Sequence, residues 1–389
     1  MTNYFSDEVD QNELIEVIQS HFGRSEHLKN QLTFYNEDKS EVLVIEYNQK
    51  NKIKKIDDSN LTKLERKSLN AKVKKILIDN QVDAVGRMIS FSNQAIKGSF
   101  VYKDLFQILP LPMDAPQPKN FIGDFPFLFE FKYVSSVDPF INIARQNKKA
   151  IIYLRVFNAL LKNSFKGPPR YTSWHWVLRF DENITTSEFL QGGYSYAIKN
   201  FNSNKYSDVS AYNEIPMLPT SEYYRNFALS VNEVTMPDTI VGLLKEVFNL
   251  KQDYEEKFYK AISWIDQADL IWSHSSSAFY ICLVTTIETF LDSKSESCEC
   301  CGQKKFSIKN KFMKFLEEHL QDSNEILKIK KIIYDTRSSL AHGGSVLPSD
   351  FEPWNFMTGL EAMDENQLKR TTYQLVKIAI HNWLIKINS

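Results

Sequence analysis

The sequence predicts an α+β chain, with a mixed α/β domain over residues 1–236 and an all-α helical bundle over residues 237–389. Three observations predict it. The runs that read as strands all lie before Pro237. Beyond Pro237, capping residues and 3.6-residue apolar periodicity follow one another with no strand signal. The length, 389 residues, exceeds what a single hydrophobic core usually holds together.

In chain order, Glu41 to Tyr47 (EVLVIEY) alternates weakly and reads as a strand, as do 87–91, 99–102, 127–134 and 174–180. Pro110, Pro112, Pro116 and Pro118 mark a loop, because proline has no N–H for a ladder and restricts its predecessor. Residues 139–162 carry Ile143, Ile151, Leu154, Phe157 and Leu161 near helical spacing. Residues 181–222 are polar and turn-rich. In the C-terminal part, Asp238 can cap a helix starting near Thr239, with Val241, Leu244, Val247 and Phe248 as its apolar stripe. Helices over 252–270, 278–292 (capped from Ser275 to Ser277), 307–320, 322–341 and 365–387 complete a bundle of about five helices. Asp322 followed by Glu325 is a capping-box-like start, and Gly343-Gly344 suits a helix end.

Composition narrows the function. Lys and Arg number 47 against 48 Asp and Glu, so bulk charge does not draw this chain to nucleic acid or anionic lipid. Four cysteines cannot staple a chain of this length. The N-terminus has neither a basic start nor an apolar core, and no run approaches the roughly 20 apolar residues of a membrane helix. A cytoplasmic protein with reduced thiols and no membrane contact is expected. There is no Walker A loop, no G-x-G-x-x-G, no G-x-S-x-G and no H-E-x-x-H.

The sharpest motif is Arg337-Ser338-Ser339-Leu340-Ala341-His342, followed by two glycines. Arginine offers a permanently charged planar fork to phosphate oxygens, and histidine exchanges protons near neutral pH. Together they can stabilise developing charge and move protons during phosphodiester cleavage. On an unbroken helix, positions five apart lie roughly 140° from one another. The two side chains therefore converge only if the helix ends between them or a second subunit supplies a partner. By spacing alone, R-x4-H is a weak pattern, and a surface arginine with a histidine near a helix C-terminus is its commoner reading.

Four stretches carry a family resemblance: the helix FYICLVTTIETFL (279–291), the cysteine loop after it, FSIKNKFMKFL (306–316) and YDTRSSLAHGG (334–344). Residues 237–389 resemble the HEPN superfamily, most closely the Apea-like branch of bacterial defence proteins. The resemblance implies an endoribonuclease that requires no metal cofactor, in which two Arg-x4-His motifs face one cleft of a homodimer. There the RNA 2′-OH attacks the adjacent phosphate, leaving a 2′,3′-cyclic phosphate. Carried over, His342 is the general acid or base, and Arg337 stabilises the charge of the phosphorane. Ser338 stands where the family often has Asn, Asp or His; it can hydrogen-bond but cannot ionise. Gly344 stands where the nucleotidyl-accepting branch has tyrosine, which argues against that role. Glu288, on the 279–291 helix, is implied to orient Arg337 or face the cleft. The resemblance further implies a toxin-like or anti-phage effector, held in check by an N-terminal sensor domain until a phage or host trigger protein acts. The alternative is a non-catalytic HEPN module for dimerisation or ligand binding.

Residues 304–337 hold nine Lys or Arg against five Asp or Glu. Lys304, Lys305, Lys309, Lys328 and Lys331 are the candidate RNA-phosphate ligands. Cys298 and Cys301 form a C-x2-C-G unit, half of a structural zinc knuckle that His319 or a second chain would complete; the alternative is a pair of reduced thiols. Finally, Asp124 with Glu130-Phe131-Lys132 matches the short D…E-x-K pattern of metal-dependent nucleases, which arises often by chance.

Overall fold

The computed structural model describes residues 9–111, 125–167, 174–181, 184–191, 204–225, 233–272, 274–291, 308–320, 324–343, 346–351 and 360–387. It is a mixed α/β chain with sheet in its N-terminal part and helices in its C-terminal part.

Helix α1 (Gln11–Phe22) opens on Asp10, whose carboxylate accepts the amides of Asn12 and Glu13. Strands β1 (Arg24–Leu28), β2 (Gln31–Tyr35), β3 (Glu41–Tyr47) and β4 (Ile53–Asp57) follow as an antiparallel meander. Helix α2 (Lys63–Lys74) starts at a reciprocal Thr62–Glu65 capping box and runs into a π-helical turn over Lys75–Asp79. Leu14, Val17 and Ile18 of α1 meet Phe34, Leu43 and Ile45 of the sheet and Leu69 and Val73 of α2 in one buried core.

The chain continues through β5 (Val82–Ser92), β6 (Phe100–Tyr102), β7 (Phe106–Leu109), β8 (Phe125–Ser135), α3 (Pro139–Leu160) and β9 (Phe165–Lys166). These strands form a five-stranded sheet in the order β6-β7-β8-β5-β9. A hairpin of β10 (Trp174–Asp181) and β11 (Ile184–Gln191) comes next. After it lie β12 (Met217–Leu218), α4 (Thr220–Arg225) and β13 (Met236–Pro237), with β12 and β13 paired in parallel. The helices are then α5 (Ile240–Phe248), α6 (Gln252–Ile271), α7 (Ser276–Glu288), α8 (Ile308–His319), α9 (Asn324–Ala341), the single turn α10 (Pro348–Phe351) and α11 (Leu360–Ile387). No helix among the described residues is long and apolar enough to cross a membrane.

Two compact units result. The first comprises Met1–Gly86, Phe131–Lys149 and Asn200–Tyr206; the second comprises Arg87–Glu130, Ala150–Lys199 and Ser207–Ser389. Residues 237–389 thus share one unit with part of the sheet region. Specific bonds inside that unit explain the grouping. Arg155 of α3 donates to Asp266 (2.9 Å) and Ser263 (3.1 Å) of α6. Lys377 of α11 donates 2.6 Å to the Leu161 carbonyl just past α3. Phe106, Phe129, Tyr153 and Phe157 pack ring against ring, burying aromatic area that dominates core energetics.

Two sequence readings change. Asp238 does not cap α5; its carboxylate accepts the Thr220 amide (3.0 Å) and hydroxyl (2.6 Å) instead. Glu130 is not available to a metal. It is fully buried, pairs with Arg87 (2.5 Å), and also accepts from Gln107 (2.5 Å) and from the Ser207 amide (2.8 Å) and hydroxyl (2.7 Å). The same pattern's Lys132 pairs with Asp83, and its Asp124 lies outside the described residues.

Gly98 supplies a packing prediction. A Cβ there would lie 2.7 Å from the backbone of Glu214 and Ile215, where Ser99 bridges to the 213–215 segment. Backbone cannot rotate away as a side chain can. Gly98→Ala is expected to cost about 1–3 kcal/mol in urea unfolding, as overpacking does; an unchanged midpoint would contradict this contact.

Candidate active site

Helix α7 is the frame of the site. Ser275 caps it by accepting the Ala278 amide (3.1 Å), and Phe279, Tyr280, Leu283, Val284 and Ile287 are buried along it. The burial of Cys282 raises its thiol above the ordinary range. The Tyr280 hydroxyl donates 2.9 Å to the Ile333 carbonyl, fastening α9 to α7.

At the last residue of α7, Glu288 meets Arg337. Arg337 Nη2 donates to Oε2 at 3.0 Å, and Nε lies 3.0 Å from Oε1. The side chains are 24% and 18% exposed, so the pair is screened only in part. A carboxylate at a helix C-terminus faces the negative pole of the helix dipole, and an arginine there offsets it. The pairing uses the Nε–Nη2 edge of the guanidinium. Nη1 has no partner among the described residues, which leaves donors for a phosphate oxygen.

Helix α9 ends within the motif. The His342 amide donates to Ser338 O and the Gly343 amide to Leu340 O, each at 3.2 Å, and Gly343 adopts φ +70°. That left-handed residue stops the helix, as glycine does at this position. Leu340 is buried beneath the turn, Ser338 is half-buried, and His342 is exposed. One chain therefore brings Glu288 to Arg337 and leaves His342 on the surface beyond the helix end.

The remaining expected residues divide. Lys309 is engaged by Asp335 (2.7 Å) and sits 5.4 Å from the Tyr334 ring centroid, so it would have to leave that pair to take a phosphate. Lys328 and Lys331 are exposed, whereas Lys330 between them is buried. Lys304, Lys305, Cys298 and Cys301 lie outside the described residues. His319 is buried and stacked 4.4 Å from Phe315, with Nδ1 2.8 Å from the Phe315 carbonyl; burial lowers its pKa. No group of three His, Cys, Asp or Glu side chains among the described residues could hold a metal ion.

Sequence reading missed a polar cluster at the other end of α7. Asp350 of α10 accepts the Ser275 hydroxyl (2.9 Å) and the amides of Ser276 (2.8 Å) and Ser277 (2.7 Å). The buried Lys369 of α11 donates to Ser276 Oγ (2.9 Å), and Ser349 donates to Glu365 through its amide (3.0 Å) and its hydroxyl. Burial lowers the Lys369 pKa. The run Ser275-Ser276-Ser277 was the signal: it read as a cap, and its surplus of donors also called for an acceptor from elsewhere in the chain.

Glu288→Leu strips Arg337 of both contacts at a half-buried position. A loss of about 1–3 kcal/mol in urea unfolding is expected, in line with hydrogen bonds to charged groups; no loss would mean that the pair is solvated. Compared with family models, with curated proteins and with solved structures, the chain matches none of them.

Proposed function

We propose that the protein is a metal-independent endoribonuclease of the HEPN type. The observation that carries the reading is the Arg337–Glu288 pair, one helical turn before the exposed His342 at a glycine-stopped helix end. In this reading His342 exchanges the proton of the RNA 2′-OH or of the 5′-oxygen leaving group, and Arg337 Nη1 offsets charge on the phosphorane. The 2′-oxygen bonds to phosphorus as the P–O5′ bond breaks, giving a 2′,3′-cyclic phosphate and a 5′-hydroxyl. Two copies in a homodimer would bring both motifs to one cleft, with Lys328 and Lys331 as exposed phosphate ligands. The sheet-containing part would restrain cleavage without abolishing it until a phage or host trigger acts, so that a residual activity is measurable on the chain alone, as suits a toxin-like cytoplasmic defence effector.

The test is incubation of the purified chain with total RNA in EDTA. Fragments ending in 2′,3′-cyclic phosphates are expected. Intact RNA at high protein concentration, or cleavage that EDTA abolishes, overturns the reading. One observation favours a second one: Glu288 occupies an edge of the Arg337 fork, as a structural ion pair would in a non-catalytic dimerisation or ligand-binding module. Intact RNA together with dimers lost in Arg337→Ala would support that alternative.

A further inference from the structure

Helix α7 grips the chain on both sides of His342. Five residues before it, Arg337 is held by Glu288 at the C-terminal end of α7. Beyond it, the chain returns to the N-terminal end of the same helix. The Leu347 amide donates 2.8 Å to Ser277 Oγ, the Ser349 and Ser276 hydroxyl oxygens lie 2.7 Å apart, and Asp350 takes three donors from Ser275, Ser276 and Ser277. Each attachment is placed where the helix dipole favours it. A carboxylate sits on the positive N-terminal end, and the arginine lies at the negative C-terminal end. Gly343 turns the chain between them with φ +70°, and neither it nor His342 is buried. Core packing therefore does not hold the His342 side chain, and its backbone lies between two attachments to α7.

We propose that Asp350 is a positioning residue for His342: by clamping the segment after the motif onto the start of α7, it holds the imidazole in register with Arg337. The catalytic consequence rests on the ribonuclease reading; the clamp itself does not. Burial opposes ionisation of Asp350, but the hydrogen bonds from Ser277, Ser276 and Ser275 outweigh it and hold the carboxyl below its ordinary value. A depressed carboxyl contributes above the ordinary carboxylate range and loses that contribution as pH falls through its folded value. The clamp is therefore fully set at neutral pH.

The test pairs a readout of the clamp with a readout of catalysis. In Asp350→Ala, hydrogen exchange of the Gly343 and Leu347 amides is expected to accelerate at least tenfold while α6 and α11 keep their protection. Asp350→Asn, which retains one acceptor oxygen, should lie between. Ser277→Ala, which removes the Leu347 anchor and a side-chain bond to Asp350 but keeps the Ser277 amide on Asp350, is the milder variant should Asp350→Ala fail to fold. On RNA, kcat is expected to fall by about 10- to 100-fold with KM changed less than twofold, because misplacement of a reacting group by about an ångström has that cost. Unchanged exchange in the variants overturns the clamp whatever the activity. Accelerated exchange with unchanged kcat, or with a change confined to KM, overturns the positioning role. A wild-type chain that cuts no RNA while the variants loosen as expected overturns the ribonuclease reading and the role that rests on it, and leaves the clamp standing.

Discussion

His342→Ala is expected to lower RNA cleavage by about 10²–10⁴-fold, the range a general acid–base contributes, and to leave the unfolding midpoint where it is. The separation follows from its surroundings. His342 is exposed, and only its backbone amide bonds within the described structure, to Ser338 O. Removing the imidazole therefore opens no cavity and strands no partner. Arg337→Ala behaves differently. It should lower cleavage too, but it also strands the Glu288 carboxylate, of which only 18% is exposed. A stability loss of about 1–3 kcal/mol accompanies the removal of one partner from such a pair. A drop in activity for Arg337→Ala alone would thus be ambiguous, whereas the same drop for His342→Ala would not. Equal cleavage by His342→Ala and the wild type would remove histidine from the chemistry.

The largest expected stability effect lies elsewhere. Lys377→Met should destabilise the protein by about 3–5 kcal/mol at pH 7, the cost of leaving a buried charge without the opposite charge that faces it. Lys377 is 1% exposed and donates to the Leu161 carbonyl. It faces Asp269, which accepts the Tyr373 hydroxyl at 2.7 Å on one oxygen and has no hydrogen bond on the other. Burial pushes the Asp269 carboxyl up to about 6, against the attraction of Lys377, and pulls the Lys377 ammonium down to about 8. A raised carboxyl contributes fully below its ordinary value and loses that contribution as pH rises through about 6. A lowered ammonium contributes fully above its ordinary value and loses that contribution as pH falls through about 8. Between those values both groups are charged and each depends on the other. Without Lys377 the carboxyl rises further, so the penalty should shrink at pH 5, where Asp269 takes up a proton. The double variant Asp269→Asn/Lys377→Met removes both charges and should recover most of the loss. Urea unfolding at pH 5 and pH 7 is the measurement, and an equal loss at both pH values would sink the account.

The legible parts of the sequence were those where local chemistry and burial agree. Ser275 marks the start of α7 and the glycine after His342 the end of α9, whereas the apolar pattern reads as helix to residue 292, four past the observed end of α7 at Glu288. The Glu41–Tyr47 strand matched to the residue. The illegible parts carry no one-sided pattern. Strands β1 (RSEHL) and β4 (IKKID) bury almost nothing on either face, and α2 buries only Leu69 and Val73. Their places are set by hydrogen bonding to β2 and β3 and by the capping box at Thr62, not by periodicity. Likewise Ile184–Gln191, polar in composition, forms a strand because it pairs along its whole length with β10. At the candidate site, the Arg337–Glu288 contact was legible as two residue types on two helices. Asp350 was not, because a lone aspartate there carries no periodic or motif signal; only the three-dimensional return of the chain to α7 reveals its use.

The interleaving of the two compact units bears on how this protein could be taken apart. The chain passes from one unit to the other five times, at residues 86–87, 130–131, 149–150, 199–200 and 206–207, the first two inside strands and the third in the middle of α3. No single cut at those places frees either unit as a contiguous polypeptide. A deletion that removes the N-terminal residues takes half of β5 with it, and an excised 237–389 fragment leaves Leu161 and Arg155, the partners of Lys377 and Asp266, behind. A swap of residues 237–389 alone onto another chain would therefore sever those bonds, so the helices travel intact only with the segment that carries Arg155 and Leu161.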